Sequence, residues 1–302
     1  MSVIMAAYHE APQIVSKAIE SVLNQTFLDF ELVIVLDDPD NKDLQGLLYQ
    51  YASHDSRIVL LVNERNIGLA SSLNKALQIA KGEFICRMDA DDISISNRIE
   101  QQLHYLNRKE YDLIGGYVNL IDENGDFLYS VTNLPIDSKD VHTALKYNNC
   151  VPHPTWFGRK EVFSEGYRNI PLCEDYDFLL RATMHGAKIG NLDYIVLNYR
   201  QTSNSISRNS LFRQYLFQVF LSRCYSAGNV AKIDDAIKYV DNHYSRLSDS
   251  RYCEANRLFN AGITGLHEKH YFPAIVGLSR IPFTSLHYCR KILRMFRAVL
   301  SI

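Results

Sequence analysis

Residues 82–92 read "GEFICRMDADD": a strand-length apolar run that ends in three carboxylates within four positions, Asp89, Asp91 and Asp92. Like charges crowded at the mouth of a buried strand repel one another, so this run calls for a compensating group. Upstream the chain alternates strand and helix signals. "SVIMAAY" (2–8) reads as a strand, and "APQIVSKAIESVLNQ" (11–25) carries Ile14, Val15, Ala18, Ile19, Val22 and Leu23 at helical spacing. "FELVIVL" (30–36) and "RIVLLV" (57–62) are further strands, separated by the helical "KDLQGLLYQYAS" (42–53). A third helix, "GLASSLNKALQIAK" (68–81), runs up to Gly82 and the quoted stretch. Strands apolar on both faces, alternating with helices, imply a parallel sheet covered on both sides.

Beyond Asp92 the rhythm loosens. "NRIEQQLHYLNR" (97–108) is helical, and "DLIGGYVNLID" and "DFLYSVT" flank "ENG" as an antiparallel hairpin. A helical patch at 137–147 and the stiff "VPHPTW" (151–156) lead to a second acidic cluster in "CEDYDFLLRATMHG" (173–186). From about Leu211 the chain reads as helix after helix.

Ligands of open parallel sheets sit beyond the carboxyl ends of the strands. Ala7 and Tyr8 follow the first strand, Asp37 and Asp38 the second, and Asp89, Ala90, Asp91 and Asp92 the fourth, so all converge on one crevice. Asp37 can accept from the imide N–H of a uracil-like base. Asp89 and Asp91 point to one side of an extended chain, one toward a ribose hydroxyl and the other toward a divalent cation. Mg²⁺ and Mn²⁺ prefer such oxygen ligands and bridge to phosphates. The same acids also fit a solvated turn capping the helix ahead of Arg98. No G-x-G-x-x-G or G-x-x-x-x-G-K-[ST] occurs, so any nucleotide phosphates must be neutralised without those loops. Glu174, Asp175 and Asp177 open a helix, where acids suit the dipole or can take a proton from a hydroxyl. His153, between two prolines, and Arg200, after "YIVLNY", are further candidates; Arg200 fits either a phosphate or an acid partner.

Taken together these segments resemble family 2 glycosyltransferases of the GT-A fold, the bacterial branch that builds O-antigen and capsule. The carriers are "SVIMAAYHE", "SVLNQTFLDFELVIVLDDPDN", "NIGLASSLNKAL", "KGEFICRMDADDISISNRIEQQ", "VPHPTWFGRKEVF", "EDYDFLLRATMHG" and "LNYRQTSNSIS", in that order across residues 2–207. The resemblance implies a Rossmann-like, mixed but mostly parallel sheet flanked by helices over residues 1–207, with a nucleotide-sugar half (1–92) and an acceptor half (93–207). An all-helical extension (208–302) follows. It implies inverting transfer from a nucleotide-diphospho-sugar, a UDP-sugar in particular, to a glycan or polyprenyl-diphosphate-linked acceptor. Donor-binding positions would be Ala7, Tyr8, Glu10, Asp37, Asn66, Asp89 and Ala90. Asp91 would hold Mn²⁺ or Mg²⁺, Asp175 would be the base, and Glu174 and His153 would line the acceptor side. Two departures stand out: Pro39-Asp40 replaces the usual Gly-Ser after the aspartates, and Gln201-Thr202 stands where many relatives carry a histidine.

Composition narrows the remaining classes. The 302 residues are 47% hydrophobic and 22% charged, with a net charge of −2, which gives no sign of bulk nucleic-acid binding. The six cysteines form no C-x-x-C pair and suit a reducing cytosol. Neither a signal peptide nor an apolar run of the roughly 18 residues that cross a bilayer is visible. The expected location is cytoplasmic, with peripheral attachment to the inner membrane as an option. That option rests on "LHYCRKILRMFRAVL" (286–300), within a tail at 285–302. Leu286, Cys289, Leu293, Phe296 and Leu300 form one stripe, and Arg290, Lys291, Arg294 and Arg297 lie away from it. An ordinary helix packed on the domain with its arginines in water fits the same pattern. Two rivals remain for the whole chain. A sugar-nucleotide pyrophosphorylase would want a basic Gly-rich loop where "AAYHEAP" stands, and a non-catalytic scaffold would keep the fold without turnover.

Overall fold

The computed structural model describes residues 1–202 and 210–300, in two compact units. The expected boundary at 207/208 and the end of the "LNYRQTSNSIS" match lie outside the described residues.

The first unit comprises residues 1–142, 149–169 and 177–203 and is built on one mixed sheet. Its strands are β1 (Ser2–Ala7), β2 (Glu31–Leu36), β3 (Ile58–Val62), β4 (Phe84–Asp89), β5 (Ile93–Ser94), β6 (Leu113–Ile121), β7 (Phe127–Val131), β8 (Phe157–Arg159) and β9 (Ile189–Arg200). Their order is β3-β2-β1-β4-β8-β6-β9-β5, with β7 hydrogen-bonded to β6. The β1–β2, β1–β4, β2–β3 and β6–β9 ladders are parallel and long, whereas β8 pairs antiparallel to β4 and β6 over two or three residues. The sheet is therefore mixed and mostly parallel, as the resemblance implies.

Helix α1 (Pro12–Leu23) starts with proline at its first turn and buries Val15, Ala18, Ile19 and Val22. Helices α2 (Lys42–His54), α3 (Leu69–Ile79) and α4 (Arg98–Lys109) cover the sheet in the same way, each through a buried apolar stripe. Helix α5 (Ser138–Ala144) follows the hairpin, and α6 (Glu174–Met184) opens with the second acidic cluster. The core runs through Val3, Met5, Leu32, Ile34, Cys86, Met88, Ile114 and Phe157.

The second unit joins residues 143–148 and 170–176 to residues from 204 onward. Its helices are α7 (Leu211–Ser226), α8 (Ile233–His243), α9 (Arg246–His267), α10 (Tyr271–Thr284) and α11 (Leu286–Leu300). Aromatic rings hold them together: Phe212, Tyr215 and Tyr288 pack on Tyr252 with ring centroids 5.1–5.3 Å apart. The six cysteines are free thiols. No helix among the described residues is long and apolar enough to cross a membrane.

Candidate functional site

The order in which strands are added reverses at β1: β2 and β3 lie on one side of it, and β4, parallel to it, on the other. Such a switch point opens a crevice beyond the strand ends. Register brings Ala7 beside Leu36 and Ala6 beside Asp89. The loops that follow β1, β2 and β4 thus leave from one line.

Asp89, Asp91 and Asp92 each offer a carboxylate oxygen, all within 4.8 Å of one another. Asp92 is fully buried, which excludes the solvated turn; the helix behind it starts instead at Asn97 without a side-chain cap. Asp92 Oδ1 accepts from the Arg200 backbone N–H at 2.8 Å, and Oδ2 has no hydrogen-bond partner among the described residues. Burial, then the charges of Asp89 and Asp91, hold Asp92 well above the usual carboxylate range. Burial and Asp89 raise Asp91 to about 6. Glu10 belongs to the same group. Its Oε2 accepts from Tyr8 N–H at 2.6 Å, and burial pushes its carboxyl up to about 8, with Asp91 and Asp89 adding to the rise.

These acids therefore lack positive charge that a cation would supply. A hard, all-oxygen donor set with one orphaned buried oxygen fits Mg²⁺ or Mn²⁺.

Two arginines frame the cluster. Arg87, buried in β4, bonds Asp89 through Nη2, while its Nε and Nη1 have no partner among the described residues. Arg200 ends β9 and donates to the carbonyls of Asp91 (2.8 Å), Asp122 (3.0 Å) and Glu123 (3.0 Å). Of the two readings of Arg200, phosphate or acid, the structure shows a third: it clamps two loops by their backbones. Tyr199, beside it, is raised by burial and then by Asp89, Asp92 and Asp91. Arg87 escaped the sequence reading, although an arginine inside an apolar strand had to find an anionic partner.

On the other side of the crevice, Asp37 accepts from Asn63 Nδ2 (2.7 Å), Ile67 N–H (2.9 Å) and Gly68 N–H (2.8 Å). Gly68, at φ 85°, turns the chain so that its N–H and that of Ile67 meet Asp37 as α3 begins. Asn63 in turn accepts from Lys75 Nζ at 2.8 Å. A carboxylate has about four lone-pair positions, so one remains on Asp37. Asp38 pairs with His9 Nδ1 at 2.6 Å, and His9 stacks on Tyr8. Ala7 and Ala90 are buried and offer backbone; Asn66 is exposed beside Ile67.

His153 sits in a 3-10 turn (His153–Thr155), edge-on to Trp156, with Nε2 3.0 Å from Tyr167 Oη. Burial, with Arg87 adding, lowers its pKa well below the ordinary histidine value. Asp177, in the first turn of α6, is buried between Arg168 and Arg181, with Arg181 Nε at 3.0 Å. Glu174 and Asp175 belong to the second unit, in its 170–176 segment, where Asp175 Oδ1 accepts from Tyr176 N–H at 2.6 Å. The first unit thus brings together Glu10, Asp89, Asp91 and Asp92, with Asp37 and Asp38 at the neighbouring strand end.

Among known proteins, the Glycosyl transferase family 2 model matches residues 2–167. The O-antigen biosynthesis glycosyltransferase WbnJ of Escherichia coli is 35% identical over 216 residues, 70% of this chain and 83% of that protein. WfaP of Escherichia coli, named a UDP-Glc:alpha-D-GlcNAc-diphosphoundecaprenol beta-1,3-glucosyltransferase, is 28% identical over 72% of this chain and 83% of its own. In fold, the chain is similar to residues 1–349 of TarS from S. aureus, solved in complex with UDP-GlcNAc. The TM-score is 0.60 at 16% identity, covering 99% of this chain and 88% of that one.

Proposed function

The chain belongs to glycosyltransferase family 2, and from that premise we propose a metal-dependent, inverting transfer of sugar from a UDP-sugar to a hydroxyl of a surface-polysaccharide intermediate. The observation that carries the metal and the diphosphate is the acidic group at the β1/β4 switch point, with Asp92 Oδ2 left without a hydrogen-bond partner among the described residues. The acceptor reading draws on WfaP, whose name gives a lipid-diphosphate-linked sugar as acceptor. A substrate of that kind belongs at the cytoplasmic face of the inner membrane.

Asp91, with Asp89 and Asp92, would hold Mn²⁺ or Mg²⁺, which when bound supplies positive charge opposite the leaving diphosphate. Asp37 keeps one lone pair for a base imide, and Asp89 and Asn66 contribute to the nucleoside side, with the Ala7–Tyr8 and Ala90 backbone. Glu10 and Tyr8 close the acid group from the β1 loop. Asp175 takes the proton of the attacking hydroxyl, while Glu174 and His153 serve the acceptor.

The direct test is a thermal-shift panel of UDP- and dTDP-sugars, each with and without Mn²⁺. A ligand at one hundred times its Kd adds about 2.7 kcal/mol of stability. A UDP-sugar should raise the midpoint strongly only with Mn²⁺, and Asp91→Ala should abolish that dependence. Equal shifts with and without metal would reject the metal-bridged donor.

A further inference from the structure

We propose that helices α10 and α11 form a docking surface for an anionic lipid bilayer. The inference stands on the second unit alone and survives any failure of the donor reading.

An amphipathic helix that packs on its own domain turns its apolar row inward and its charges outward. Helix α11 departs from this: an apolar row faces outward and two of its cations face inward. Lys291 Nζ lies 5.0 Å from the Tyr288 ring centroid and 5.8 Å from that of Tyr252. Arg294 Nη2 donates to Tyr147 O at 2.5 Å and Ser222 Oγ at 2.9 Å. Two of its four cations are thus used to fasten the helix down. The expectation of a packed helix with all its arginines in water therefore gives way.

The face left outward is apolar. Leu286, Leu293 and Leu300, seven residues apart and so in one row, are 68%, 56% and 83% exposed, and Phe296 beside them is 61% exposed. Arg290 and Arg297, again seven apart, run as an exposed row alongside. Helix α10 adds Phe272 at 80% and Phe283 at 93% exposed, with Arg280 also at the surface. From residue 271 to 300 there are five basic residues and no acid.

Apolar rows of this size in water are a standing cost unless something covers them. A second copy of this chain fits poorly, because a two-fold contact through this face would set its arginines near their own equivalents. A bilayer with anionic headgroups meets both demands. The leucine and phenylalanine rows enter the acyl boundary, and Arg280, Arg290 and Arg297 meet the phosphates.

Flotation of the full chain with vesicles tests this. We expect binding to phosphatidylcholine–phosphatidylglycerol vesicles at least about tenfold stronger than to phosphatidylcholine alone, and weaker as salt is raised. Phe283→Ser with Phe296→Ser should lower binding to both, and Arg290→Gln with Arg297→Gln should remove the phosphatidylglycerol preference. All four positions are exposed, and circular dichroism checks that the variants fold. Absence of binding to the anionic vesicles, or binding unchanged in both variants, would overturn the proposal. So would light scattering that reveals a dimer abolished by Phe283→Ser with Phe296→Ser in a chain that ignores vesicles.

Discussion

Asp37 shows how much one side chain can be asked to do. Its carboxylate ties Asn63, Ile67 and Gly68 together, so Asp37→Ala strands three donors and should cost about 3 kcal/mol in urea denaturation. A loss under ~0.5 kcal/mol would show that water replaces the bonds. Asp175→Asn makes a different claim. It should cut turnover by about 10²–10⁴-fold while UDP affinity with Mn²⁺ stays within about twofold. Near-normal turnover would move the base elsewhere. The acids themselves were legible in the sequence because carboxylates after a buried run are conspicuous. Most of their partners were not. Asn63 and Lys75 reach Asp37 by a side-chain relay that only the fold defines, and Arg200, a candidate from the sequence, meets backbone carbonyls in place of an acid or phosphate.

Elements differ in how openly they announce themselves. The first four strands and three helices follow from their apolar runs and periodicity within a residue or two; the hairpin of β6 and β7 follows from the turn between two strand-length runs, although β7 itself is exposed. Strands β5 and β8 carry two and three residues and have no periodicity to read; they exist because β9, β4 and β6 present open edges to them. The loop after β4 is fixed in turn by Arg200 at the end of β9. Arg200→Met removes its bonds to the carbonyls of Asp91, Asp122 and Glu123. We expect a loss of about 2 kcal/mol, together with roughly tenfold weaker Mn²⁺ binding by calorimetry. Unchanged Mn²⁺ affinity would mean that the loop holds its shape without the clamp.

For the molecule as a whole, the acid group makes stability depend on pH and cation together. Asp91, at about 6, and Glu10, at about 8, have folded-state values raised above their unfolded ones. Such groups stabilise the fold at low pH, and that stability is lost as pH rises through the folded values. The metal-free melting temperature should therefore fall from about pH 4, near the unfolded values, to pH 8, most steeply below pH 6 where both groups contribute, and the increment given by saturating Mn²⁺ should grow over the same window. A Mn²⁺ increment that is flat with pH would show that these acids are not the ones that bind it. The composition of the second unit bears on how the enzyme is made. Its 170–176 segment, which holds Glu174 and Asp175, bonds to Gln214 through Cys173 Sγ and the Leu172 carbonyl. On the ribosome, those residues emerge well before the helices they pack with. A nascent chain must wait for α7 before that segment can settle, so premature termination ahead of residue 211 would release a chain in which Leu172 and Cys173 lack the Gln214 partner that holds the segment carrying Glu174 and Asp175.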